Sequence, residues 1–274
     1  MIPMPAKPSD TFRQQVAVIM GASGSGQPLL NVLRQLLEKD VGIELHGVFI
    51  EDEQLQRAAA LPFVKELCRL TLSVREIQGT PFDRSIALRM RSARSALERL
   101  AQRSGVPHTF RTAQGSTLSL LSETVHSANI TVFEPLRKFA APAPAQTTHS
   151  SHPARRIVVV IDNVATGDEA LLTAALLAKG RTDRIAILLR AKTGSELKAM
   201  EQMILELLPN RPTRLLLLPD QDIRHLIASV RAEHAEMLVV AATEEILKPE
   251  SLGSLLQQLE CPICLVRPLG EPAA

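Results

Sequence analysis

The chain contains no tryptophan and no tyrosine among its 274 residues, and only seven phenylalanines stand in for both. Without tyrosine, every mechanism that needs a phenolic acid or base is excluded, the short-chain dehydrogenase reading among them. Without tryptophan and tyrosine, only the seven phenylalanines could serve as stacking platforms for single-stranded nucleic acid, which argues against that class. Cysteine is scarce: Cys68, Cys261 and Cys264 are an odd, widely spaced set, which fits reduced thiols and not a disulfide framework. No apolar run approaches the roughly 20 residues a membrane helix requires. The opening stretch Met1–Gln15 has no apolar core of a secretory signal, so a cytoplasmic location without membrane insertion is the expectation. An excess of one charge is missing too. Lysine plus arginine number 31 against 29 acidic residues, a net charge of +2, so no nucleic-acid partner is expected.

What the chain does have is apolar content and a repeat. Hydrophobic residues make up 45% and the mean hydropathy is +0.07, the profile of a globular chain long enough for two cores. Val16–Leu30 (VAVIMGASGSGQPLL) lies without a gap over Val158–Leu172 (VVVIDNVATGDEALL), 142 residues further on. Each copy is an apolar β-branched run, a small-residue turn and the start of an apolar-periodic segment, the signature of a duplicated unit.

The periodicity predicts strands at Gln15–Met20, Glu44–Ile50, His108–Ala113 and Ile130–Phe133 in the first unit, with helices at Pro28–Lys39 and Leu118–Ser127. A longer helix runs through Ile86, Met90, Ala93, Leu97, Leu100 and Ala101 and stops at Gly105-Val106-Pro107. The second unit predicts strands at Arg156–Ile161, Arg184–Leu189, Thr213–Leu218, Met237–Ala241 and Ile263–Arg267, with helices at Asp168–Lys179, Ser195–Leu208, Asp222–His234 and Leu252–Leu259. Near-continuous apolar strands alternating with helices imply parallel sheets covered on both faces. The expected fold is therefore α/β, two tandem doubly wound units with five-stranded-type sheets, the first lacking its fifth strand. Unit 1 spans 12–136 with an insertion at 51–83, a Pro/Ala/Ser/Thr linker spans 137–153, and unit 2 spans 154–268. The insertion, with its LPFVKELCRL segment, is expected to cap the incomplete sheet of unit 1, with docking of a specific protein as the alternative.

Candidate sites compete with plainer readings. Gly21-Ala-Ser-Gly-Ser-Gly26 joins a strand to a helix, where backbone amides hold phosphate, and makes Gly21, Gly24 and Gly26 candidates. The pattern is GxxGxG, neither the dinucleotide fingerprint nor a Walker loop, so a tight turn is the alternative. Asp162 ends a central strand at the carboxyl edge, where open α/β sheets bind ligands, and would accept from a ribose or base; a turn-forming role competes equally. Its overlay twin is Met20. Cys261-Pro-Ile-Cys264 opens a strand, which sends its thiols to opposite faces and argues against redox or zinc chemistry. No metal site and no catalytic set is assigned. His149 and His152 fall in the linker. The arginine-rich helix (Arg84, Arg89, Arg91, Arg94, Arg99, Arg103) reads as a solvated face that an acidic partner could use.

Taken together, Ile157–Asp162 (IVVVID), Ala235–Ala242 (AEMLVVAA) and Leu252–Pro268 (LGSLLQQLECPICLVRP) resemble a tandem universal stress protein, of the adenine nucleotide alpha hydrolase-like fold. The resemblance covers nearly all of unit 2 and, in unit 1, the strand–turn–helix start and the Ile130–Phe133 strand. ATP-binding members carry a G-x2-G-x9-G-[ST] loop after the fourth strand. This chain has Ala242-Thr243-Glu244-Glu245-Ile246 there and keeps only Gly253-Ser254. By resemblance Asp162, Gly253 and Ser254 map onto nucleotide-contacting positions, yet two glutamates would repel a triphosphate. The resemblance thus implies a non-catalytic, regulatory or stress-response protein with weak or no binding of ATP or AMP, and no required cofactor. It also implies a homodimer, paired through the final strand Ile263–Arg267. The alternative is a nucleotide-binding module or weak hydrolase that uses Gly21–Gly26.

Overall fold

The structure, a computed structural model, describes residues 14–21, 26–38, 42–53, 56–57, 61, 65–67, 74–76, 79–135, 156–208, 214–220 and 222–267. Strand β1 (Gln14–Gly21), helix α1 (Gln27–Leu37) and strand β2 (Ile43–Asp52) open the chain. Two short strands, β3 (Lys65–Leu67) and β4 (Val74–Glu76), pair antiparallel as a separate ribbon. Helix α2 (Gly79–Ser104), β5 (His108–Gly115), α3 (Thr117–Ser127) and β6 (Ile130–Phe133) complete the first half. The second half runs β7 (Arg156–Ile161), α4 (Val164–Leu177), β8 (Ile185–Leu189), α5 (Gly194–Leu207), β9 (Arg214–Leu217) and α6 (Ile223–Ala232). It ends with β10 (Ala235–Ala241), the single turn α7 (Glu244–Leu247), α8 (Pro249–Gln258) and β11 (Ile263–Val266).

The nine longer strands form one sheet in the order β5-β2-β1-β6-β11-β10-β7-β8-β9. All neighbours are parallel except β6 and β11. The order β5-β2-β1-β6 is repeated as β9-β8-β7-β10, so the halves differ by one strand. That strand is β11, and it serves both. It pairs parallel with β10 (Leu238 opposite Ile263) and antiparallel with β6 (Phe133 opposite Ile263).

Two readings are corrected by this arrangement. The last strand is no free edge for a homodimer: both its flanks are hydrogen-bonded within the chain and all four residues are buried. Nor is the open side of β6 capped by the insertion, because β11 occupies it. A clasp holds the junction. Arg267 N–H donates to the Asn129 carbonyl at 2.8 Å, Arg267 Nη1 to the His126 carbonyl at 2.6 Å, and Gln15 N–H to Asn129 Oδ1 at 2.9 Å. Further across, Lys179 is ion-paired with Glu38.

The central apolar strands pack on both faces, as their composition requires, whereas the edge strand β9 leaves Leu215 and Leu217 exposed. On one face Val16, Val18 and Met20 share a core with Ile157, Val159 and Ile161, under α1, α2, α4 and α5. On the other, Ile19 shares a core with Val158 and Val160, under α3, α6 and α8. Each core runs through both halves, so burial in one is coupled to burial in the other. The faces also correct the gapless repeat. Val16 and Val158 are superposed in sequence but lie on opposite sides of the sheet. Side chains alternate with period two, so a structural overlay of the halves needs a one-residue slip. Met20, on the face of Ile161, is therefore no twin of Asp162. The helices diverge as well, α1 starting five residues beyond β1 and α4 almost at once after β7.

Candidate functional site

In an open parallel sheet the ligand crevice lies beyond the carboxyl ends of the central strands. Here that edge comprises the ends of β1, β2 and β6 in one half and of β7, β8 and β10 in the other.

In the second half Asp162 follows β7 directly and Arg190 follows β8. Arg190 is 1% exposed, and its Nη1 lies 3.3 Å from Asp162 Oδ1. The ladder delivers both: Arg190 N–H donates to the Ile161 carbonyl at 3.0 Å, extending the β7–β8 register to the strand tips. Burial pushes the Asp162 carboxyl above its ordinary range, while the Arg190 guanidinium, and behind it Lys192, pull the other way. An ion pair thus stands at the carboxyl edge of the second half. Sequence reasoning singled out Asp162 and missed Arg190. The signal was an arginine closing an otherwise apolar strand (IAILLR), which demands a buried counter-charge.

Beyond β10 the chain turns at Ala242-Thr243 into α7, so Glu244 and Glu245 form the first turn of a helix and not an open loop. Lys248 is ion-paired with Glu245. Gly253 and Ser254 lie within α8, and Gly253 is buried. The Leu252 N–H already donates to the Lys248 carbonyl at 2.9 Å, so Gly253 lies past the turn whose amides are free. A Cβ on Gly253 would meet only Leu118 Cδ1 at 3.9 Å, an ordinary contact. The expected phosphate-contacting role of these two residues is not supported by their placement.

In the first half, Gly21 ends β1 exposed, and Gly26 precedes α1 with φ of 69°, a left-handed conformation suited to glycine. Gly24 lies outside the described residues. The Gly26 N–H points at an anion already present: it donates to Glu134 Oε2, at the end of β6, over 3.4 Å. The second Glu134 oxygen is buried, with no hydrogen-bond partner among the described residues. A carboxylate of the chain therefore accepts from the backbone amide that precedes α1.

The thiols follow the sequence reading. Cys261 packs in one core and Cys264 in the other, on opposite faces, and burial pushes each up to about 12. Among the described residues no group of three or more His, Cys, Asp or Glu side chains is placed to hold a metal, and no helix is long and apolar enough to cross a membrane. His149 and His152 lie outside the described residues, as do Cys68 and the linker 137–153.

No protein-family model matches the chain, and no curated protein matches its sequence. Among solved structures it is similar to a universal stress protein from Archaeoglobus fulgidus DSM 4304, with 15% identity over 92% of this chain and 96% of that one and a TM-score of 0.46. It is also similar to the cytoplasmic domain of a prokaryotic cation chloride cotransporter, with 12% identity, 96% and 98% coverage and a TM-score of 0.49.

Proposed function

We propose that this chain is a non-catalytic, universal stress protein-like tandem protein that acts in stress response or regulation by binding a partner, in the cytoplasm, and not by turning over a nucleotide. On this reading units 12–136 and 154–268 descend from one ancestral fold, and the linker 137–153 joins them. The observation that carries the proposal is that each carboxyl edge holds a charged group of the chain itself. Asp162 and Arg190 fill one, and Glu134 takes the Gly26 amide in the other. A nucleotide would have to separate a buried ion pair, or place phosphate against a carboxylate, before gaining any contact. With both flanks of Ile263–Val266 used internally, a homodimer has to form elsewhere.

Titration calorimetry with ATP, AMP and NAD tests the reading. The expected result is no binding by the full chain. Tight binding that is lost in Gly24→Glu would overturn it in favour of a nucleotide-binding module or weak hydrolase built on Gly21–Gly26. Tight binding that is lost in Asp162→Ala would overturn it in favour of a working site in the second half.

A further inference from the structure

The longest helix among the described residues carries a strongly one-sided charge. In α2 six arginines (Arg84, Arg89, Arg91, Arg94, Arg99, Arg103) stand against Asp83 and Glu98, with no lysine. One helix thus carries +4 in a chain whose total is +2, so the remainder is net negative. The apolar side of α2 is spent on the core, where Ile86, Leu97 and Ala101 are buried and Met90, Ala93 and Leu100 pack partly. All six arginines are exposed. At 3.6 residues per turn Arg84, Leu88, Arg91, Ser95 and Arg99 fall on one strip opposite that core side.

Arg94 is taken up by Glu98 at 3.0 Å and lies over the Phe110 ring, 5.7 Å from its centre. Arg91 Nε donates to the Ala87 carbonyl at 3.3 Å, and Arg99 Nη1 to Ser95 Oγ at 2.6 Å. Among the described residues no carboxylate is ion-paired with Arg84, Arg91, Arg99 or Arg103. Arg91 and Arg94 stand three residues apart, and Arg99 and Arg103 four, spacings at which like charges on a helix repel. An acidic partner would relieve that repulsion.

We propose that the outward face of α2 is a docking surface for an acidic, partly apolar protein segment; the proposal rests on the partner-binding reading above and names its surface. Three observations select a polypeptide over other anions. Leu88, 55% exposed, sits between Arg84 and Arg91 and offers an apolar contact for which a phosphate backbone has no use. The net-negative remainder of the chain disfavours a long polyanion that runs past the helix. The arginines also wrap around the rod, so no flat membrane surface meets them all at once. From Arg84 to Arg103 the helix spans about 28 Å, which about nine extended residues would cover.

Fluorescence anisotropy on the full chain tests this. The probe is a labelled peptide of about ten residues with glutamates flanking leucines, compared with an all-glutamate peptide, a DNA duplex of similar length and phosphatidylserine vesicles. The expected result is salt-sensitive binding of the Glu/Leu peptide, weakened about ten-fold in Arg91→Glu/Arg99→Glu and a few-fold in Leu88→Ser. Both variants alter exposed side chains, and an unchanged thermal transition shows that they fold. Peptide binding that the double variant leaves untouched would overturn the proposal. So would the duplex or the vesicles binding more tightly than the peptide. Either outcome, without nucleotide binding in calorimetry, leaves the broader functional reading standing.

Discussion

The two carboxyl edges of the sheet meet the same need with different chemistry. In the second half the carboxyl edge carries Asp162 and Arg190, a largely buried pair whose partners come from adjacent strand tips. In the first half the turn before α1 is met by one carboxylate, Glu134, reaching a backbone amide from the end of β6. The helix starts differ in the same way. Asn163 caps α4 from within, accepting from Thr166 N–H at 3.0 Å, whereas Gly26 has no side chain to cap α1. One strand–turn–helix plan can thus be finished either by local capping or by a group brought in through the fold. The choice decides how much of each edge depends on tertiary structure.

The largest test removes one partner of the buried pair. Arg190→Met leaves the Asp162 carboxylate in poor solvent and is expected to cost about 3 kcal/mol in urea unfolding. Asp162→Met/Arg190→Met removes both charges and should recover most of that loss, ending within about 1 kcal/mol of the native chain. If the double variant is as unstable as the single, the pair is not what closes this edge.

Next in size are the two helix starts. Asn163→Ala should cost about 1 kcal/mol through loss of the local cap. Gly26→Ala should cost about 1 kcal/mol too, for a different reason. A Cβ there meets nothing within 4 Å, so only the left-handed backbone is penalised. Equilibrium unfolding checks both.

The Asp162 carboxyl gives a pH test with a definite sign. Because burial raises its pKa, the native state holds this proton more tightly than the unfolded chain does. Its contribution to stability is therefore full below the ordinary value of 3.8 and is lost as pH climbs through the raised one. A carboxyl carbon-13 titration should place the Asp162 midpoint above 3.8, and higher again in Arg190→Met, where the attraction that opposes the shift is gone.

The smallest expected effect is a gain. Gly253→Ala, inside a helix with room for a methyl group, should stabilise the chain by about 0.5 kcal/mol. A glycine shaped to admit phosphate would behave in the opposite way.

Much of this was legible in the residues. The apolar run Ile157–Ile161 announces a strand covered on both faces, and similar runs mark the other central strands, whereas the edge strand β5 is polar and carries no such signal. The helices are as clear: Ile86, Leu97 and Ala101, at helical spacing, all prove to be buried. Helix starts were less legible, because Asn163 caps α4 where the small-residue pattern suggested a longer turn. Asp162 was visible as a carboxylate at a strand tip, but its partner lies 28 residues on and its burial depends on β8 lying beside β7. The sequence overlay misled for the same reason. A run of β-branched residues reads alike in either register, and only packing against helices decides which residues face which core.

What the sequence determined alone is the alternation of strand and helix, the four strands that the first half gives to the main sheet, and the side chains that follow β10. These are local properties, set by apolar periodicity and by which side chains occupy each turn. The tertiary structure alone decided that β11 completes both halves, that the two cores are continuous, and that charged side chains of the chain stand at both edges. Strand pairing and burial of charge join residues far apart in the chain, and no local pattern records which distant partner will satisfy an open edge or a buried ion.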